Sequence, residues 1–157
     1  ADVGCVRMTE RHLVTDPPTA DEVAAATRDI EAAVDTIAAH VDLSGAGTLV
    51  GLAGSVTTVT AHALRLDAYD PEQIHLAVVT PERIHECTEE LLTMPRGERA
   101  ALGFMHPGRV DVIGAGALVW DRVVARVVAA SPGAAVVTSE HDILDGIALG
   151  LARRLAG

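Results

Sequence analysis

Thr48-Leu49-Val50-Gly51-Leu52-Ala53-Gly54-Ser55-Val56-Thr57-Thr58 begins as a continuous apolar run and ends in a glycine turn followed by hydroxyl residues. The unbroken apolar run predicts a strand over residues 48–53, buried on both faces of a sheet. Gly54-Ser55 makes the turn, and a helix is predicted over residues 56–66. A strand that feeds a helix through glycines leaves the N–H groups of the first helical turn free and lets an anion approach them. The same pattern suits a tight strand–helix connection whose glycines only allow close packing. Both readings stand on this segment alone. The sequence contains no lysine, so the segment is not a G-x-x-x-x-G-K-[ST] loop. Neither Gly45-x-Gly47-x-x-Val50 nor Gly114-x-Gly116-x-x-Val119 completes a dinucleotide fingerprint. Ser55 resembles a nucleophile elbow locally, but G-x-S-x-G is missing and no base is paired with it, which argues against serine-hydrolase chemistry.

Upstream of this segment, residues 3–9 read as a strand, and Asp16-Pro17-Pro18 halts regular structure. Thr19-x-x-Glu22 reads as a capping box. It opens a helix to about residue 42, with Val23, Ile30, Val34, Ile37 and Val41 on one face. Downstream, residues 75–79 are a strand or an extended connection. Thr80-Pro81 caps a helix whose face is Ile84, Cys87 and Leu91. A short helix over residues 98–102 leads through His106-Pro107-Gly108-Arg109 to a mainly helical apolar segment, residues 110–128. Residues 134–138 read as another buried strand. Ser139-x-x-Asp142 then caps a last helix with Ile143, Ile147 and Leu151 on one face. The order predicts an α/β fold, one domain over residues 1–157, with its strands covered by helices.

The chain has 157 residues, 49% hydrophobic and 22% charged. A domain of this size buries roughly two-thirds of its unfolded surface, which excludes disorder and a small disulfide scaffold. No apolar run is long enough to span a membrane. The net charge is −10, and all 12 basic residues are arginine. That field disfavours nucleic acid and membrane surfaces as partners, while leaving room for a local arginine-lined anion site. Cys5 and Cys87 lie far apart without metal-like spacing, which fits free thiols in a reducing compartment and a cytoplasmic location. Ala1-Asp2-Val3 has neither an initiator methionine nor a signal region, so the chain is compatible with being a fragment.

Other candidates are weaker. Gly114-Ala115-Gly116-Ala117 lies in an apolar segment where glycine lowers helix propensity, which fits helix packing first and a ligand second. His106, Arg109 and Asp111 are anion binders or solvated turn residues. Glu140, His141, Asp142 and Asp145 suit the start of a helix better than a metal. The seven histidines show no H-E-x-x-H and no Cys/His grouping, so no zinc site is expected.

Taken together, several blocks resemble the exopolyphosphatase / guanosine pentaphosphate phosphohydrolase (Ppx/GppA) family. They are residues 2–10 (Asp-Val-Gly-Cys-Val-Arg-Met-Thr-Glu), Asp16-Pro17-Pro18-Thr19, the Gly51–Thr58 segment, Gly108-Arg109-Val110-Asp111-Val112-Ile113 with Gly116-Ala117, and Ser139-Glu140-His141-Asp142-Ile143-Leu144-Asp145-Gly146. They follow the family's order and span nearly the whole chain. The resemblance implies an RNase H-like domain of the actin-like superfamily, a mixed sheet flanked by helices. It would be the second half of a two-domain, Mg²⁺-dependent phosphatase acting on inorganic polyphosphate or pppGpp. The N-terminal domain, with the catalytic glutamate and the Asp-x-Gly-Gly-Gly-Ser loop, would lie upstream, so no catalytic residue is expected in this chain and a metal ligand is not assigned.

By the same analogy Gly54, Ser55, Thr57 and Thr58 would bind phosphate, with Gly51, Arg109, Gly114 and Gly116 near the ligand. Ser55 stands where many relatives have threonine and keeps the hydroxyl. Leu144-Asp145-Gly146 stands where relatives often have Arg-Glu-Gly, which tilts the expectation from pppGpp toward polyphosphate. The resemblance leaves room for a homodimer and implies that the isolated chain is inactive. Two other classes fit parts of the pattern: a noncatalytic phosphate-binding or dimerisation module, and a kinase or ATPase of the same superfamily.

Overall fold

Capping residues and first-turn prolines set where several of the helices of this chain begin. In the computed structural model, which describes residues 2–156, the elements run α1 (Cys5–His12), α2 (Ala20–Ala38), β1 (Thr48–Leu52), α3 (Ala53–Ala63), α4 (Pro71–Ile74), α5 (Pro81–Thr93), α6 (Arg96–Ala101), a 3₁₀ turn (Pro107–Arg109), α7 (Ile113–Ala130), β2 (Ala135–Ser139) and α8 (Ile143–Ala156). The capping box of α2 is complete: the Thr19 side chain accepts from the Glu22 N–H, and the Glu22 carboxylate accepts from the Thr19 N–H at 2.8 Å. Thr80 accepts from the Arg83 N–H at 3.2 Å, with Pro81 in the first turn of α5.

α7 organises the interior because it has no polar side at its start: residues 113–118 are all buried. A helix apolar all round must be covered all round, and α1, α2, α3 and α5 pack against it. One core gathers Val59, Ile74, Ile84, Leu91, Trp120 and Val136. The other gathers Met8, Ile30, Val34, Leu92, Ala115 and Leu118. Burying each large side chain of this kind stabilises the fold by about 1.5–3 kcal/mol.

β1 and β2 pair in parallel, from Thr48 opposite Ala135 to Leu52 opposite Ser139. Residues 76–79 run along the other side of β2: the Leu76 N–H donates to Thr138 O at 2.8 Å and the Val79 N–H to Val136 O at 3.1 Å. This segment makes one isolated antiparallel bridge, Val78 to Val137, and is therefore the extended connection of the two alternatives. Both strands end at the same edge, the edge at which open α/β sheets bind ligands. Among the described residues no helix is long and apolar enough to cross a membrane.

Four expectations are corrected. Residues 3–9 are not a strand: α1 forms instead, because Cys5, Met8 and His12 recur at helical spacing and Met8 is fully buried in the second core. β1 is not buried on both faces, since Val50 is 50% exposed and Leu52 46%, while Gly51 faces inward under Trp120. The predicted apolar face of α8 is exposed as well, at Ile143, Ile147 and Leu151. The cap of α8 also shifts to Asp142, whose carboxylate accepts from the Leu144 N–H at 2.7 Å, because Ser139 Oγ is engaged with His141.

Candidate functional site

The turn between β1 and α3 is sharper than the sequence suggests. Ala53 follows the strand directly and holds φ at +68°. An L-residue in that left-handed region costs about 1–2 kcal/mol, and such strain collects at binding sites. Leu52, the residue that caps α3, offers its first turn no side-chain acceptor. The first N–H groups of the helix therefore lack a side-chain cap where they meet a groove of ≈ 490 Å³ lined by Leu52, Ala53, Gly54, Ser55, Arg109 and Gly116, among others.

Arg109 supplies the positive charge. The 3₁₀ turn brings it back over α3, where its Nη1 donates to Thr58 Oγ1 at 3.3 Å. Its guanidinium lies so close on Gly54 that any Cβ there would overlap Nε, Cζ and Nη2. Gly54 is thus a seat for the arginine rather than only a turn residue. Gly116 has the matching role on α7: a Cβ there would lie 2.8 Å from Ser55 Cβ. Gly51 is needed for packing, since a Cβ would sit 2.7 Å from both the Trp120 ring and Val56 Cγ1. Gly114 lies away from the groove, against Leu92 at 3.3 Å, in a separate hollow that includes Asp16 and Arg99.

Thr57 and Thr58 are buried beneath the turn, and their hydroxyls donate to Gly54 O at 3.4 and 2.7 Å. The structure therefore brings Gly54, Ser55, Arg109 and Gly116 to the groove itself, and places Thr57, Thr58 and Gly51 behind it. Sequence reasoning missed Tyr69. Its hydroxyl donates to Glu140 Oε1 at 2.7 Å, tying the loop after α3 to the Ser139-Glu140-His141-Asp142 block. Burial raises the Tyr69 phenol above its ordinary range, and neighbouring Thr57 and Arg109 oppose the rise while Glu140 adds to it. The scarcity of aromatics in the sequence was the one signal that could have singled Tyr69 out.

Among the described residues no carboxylate lines the groove. Amides, a hydroxyl and a guanidinium suit phosphate oxygens, whereas Mg²⁺ takes oxygen ligands of the opposite charge. This donor set does not fit Mg²⁺. Elsewhere the fold makes a ligand grouping that the linear spacing hid: His62 of α3 meets Cys87 and Glu90 of α5, with ligand atoms within 4.8 Å of one another. The expectation that no such grouping exists is corrected.

The profile of the Ppx/GppA phosphatase family matches residues 1–150. The chain is 49% identical over 153 residues to exopolyphosphatase 2 of Mycobacterium tuberculosis (strain CDC 1551 / Oshkosh), covering 97% of this chain and 48% of that protein. The match to the same protein in strain ATCC 25618 / H37Rv has the same figures. The chain spans about half the length of the curated relatives it matches. A solved exopolyphosphatase-like protein superposes with a TM-score of 0.93 at 42% identity, over 98% of this chain and 49% of that one. An Aquifex aeolicus Ppx/GppA family member superposes at 0.82 with 23% identity, over 98% and 48%, a likeness of fold alone.

Proposed function

Because the chain belongs to the Ppx/GppA phosphatase family, we propose that it is the phosphate-holding half of an enzyme that hydrolyses the terminal phosphate of inorganic polyphosphate. One observation carries the reading: the Arg109 guanidinium seated on Gly54 and against Thr58, beside the uncapped start of α3. In-line attack of water on a terminal phosphorus needs its non-bridging oxygens held and their charge balanced throughout. The amides at Gly54 and Ser55 would hold one oxygen, and Arg109 would bind a second with a charge-assisted hydrogen bond. Thr57 and Thr58 would act from behind, fixing the Gly54 carbonyl and hence the direction of the loop. The name exopolyphosphatase 2 on the Mycobacterium tuberculosis relative supports polyphosphate as the substrate class.

The general base and the Mg²⁺ ligands belong in this reading to the other half of the protein, facing this groove from a second RNase H-like domain. Separating the halves forfeits orientation, base and metal together. The test is phosphate release from polyphosphate and from pppGpp, with Mg²⁺ and with EDTA, for the full-length protein and this chain side by side. Release only by the full-length protein, faster on polyphosphate, is the expected result. Turnover by the isolated chain overturns the split-site reading, and silence from both favours a noncatalytic phosphate-binding module.

A further inference from the structure

The far end of α3 carries a second grouping, about 13 Å of helix away from the phosphate turn. His62 sits in the last turn of α3, while Cys87 and Glu90 lie on α5. The Glu90 carboxylate is divided between two duties. Its Oε1 accepts from Arg83 Nη1 at 3.2 Å, and its Oε2 lies 2.6 Å from His62 Nε2. His62 Nε2 is buried, with the Glu90 carboxylate as its near neighbour. Cys87 is fully buried beside it. An imidazole, a thiol and a carboxylate thus meet in one mostly buried place, with their ligand atoms within 4.8 Å of one another.

The geometry assigns His62, Cys87 and Glu90 as a three-ligand site for a divalent zinc-class ion that clamps α3 to α5. The donor set is the one such ions take: one imidazole nitrogen, one sulfur and one carboxylate oxygen, with water as the fourth ligand. Two anionic ligands and a neutral imidazole would cancel the ion's charge, which a mostly buried site requires. Zinc ligands at about 2.0–2.3 Å from the metal stand about 3.3–3.8 Å apart, so the observed spread of up to 4.8 Å closes with small side-chain rotations. Arg83 would hold the outer carboxylate oxygen, as outer partners do at metal sites. Without an ion Cys87 carries a free thiol. Binding would form the metal–sulfur bond and break the S–H bond, releasing one proton to solvent with no change of oxidation state. The ion would enter past Glu90, whose side chain is half-exposed.

The experiment is a Co²⁺ titration of the intact protein, read by absorption. One equivalent should produce a thiolate-to-cobalt charge-transfer band together with the visible bands of a four-coordinate ion, and Zn²⁺ should displace both. Cys87→Ser should lose the charge-transfer band, and Cys5→Ser should keep it. Glu90→Gln, a half-exposed change expected to fold, should weaken Co²⁺ binding about 10-fold or more. Zn²⁺ should raise the Tm of the unaltered protein and leave that of Glu90→Gln nearly unmoved. Absence of the thiolate band, its survival in Cys87→Ser, or unchanged affinity in Glu90→Gln overturns the assignment. None of these readouts depends on phosphatase turnover, so this result and the polyphosphate reading succeed or fail separately.

Discussion

Two glycines three positions apart separate binding from packing. At Gly54 a new Cβ would meet the far end of a flexible arginine, whereas at Gly51 it would meet an indole ring and a valine methyl. Gly54→Ala in the full-length protein should therefore cut polyphosphate turnover while shifting Tm little, because Arg109 can swing aside. Gly51→Ala should cost about 1–3 kcal/mol of stability, as overpacking of a filled core does. Denaturant midpoints alongside phosphate release distinguish the two. Arg109→Ala should lower kcat by about 10²–10³, the usual loss of one preorganised donor to a developing charge. Arg109→Lys should not restore it, since lysine lacks the planar fork that can lie along Gly54 and reach Thr58 together. Of the predicted site residues in the Gly51–Thr58 segment, Gly54 and Ser55 line the groove, while Gly51, Thr57 and Thr58 support them from behind. That division was invisible in the sequence, where all are small or hydroxylated; only the return of Arg109 across the turn reveals it.

The elements whose ends carry their own chemistry were legible. Thr19, Glu22, Thr80 and Pro81 announce the starts of α2 and α5, and both helices begin there. α1 was not legible, because the reason for its helix is Met8 buried in the second core with Ile30 and Leu118. The His62–Cys87–Glu90 grouping was hidden for the same reason: its members come from two helices. The capping box also gives α2 a pH signature. Hydrogen bonds from Thr15 first, then Thr19, hold the Glu22 carboxyl down to about 2, below its ordinary 4.5. A depressed carboxyl contributes stability that is fully present above the ordinary value and is lost as pH falls through about 2. Glu22→Gln should flatten the acid limb of a Tm-against-pH curve between those values and leave its neutral limb parallel. Between α3 and β2, Thr60 and Thr138 share a buried hydrogen bond of 2.6 Å. Thr60→Val should cost about 1–3 kcal/mol by stranding the Thr138 hydroxyl, and adding Thr138→Val should recover much of it.

At the scale of the whole molecule, apolar side chains stand open on β1 and on α8, with Val50, Leu52, Ile147 and Leu151 each about half exposed or more. Exposed apolar side chains in this number seek cover. This chain alone should self-associate with rising concentration in sedimentation equilibrium, and Ile147→Glu with Leu151→Glu should return it toward a monomer. The parallel pairing of β1 with β2 has a kinetic corollary. Each rung joins residues more than eighty positions apart, such as Val50 and Val137, and most of the intervening chain is helical. The rungs cannot close early, because the loop entropy must be overcome before any of them forms. The helices between the strands are local and quick, so the Ala53 turn that points α3 at the groove is set among the last steps of folding. A nascent copy would thus hold its arginine and its amides well before it could aim them.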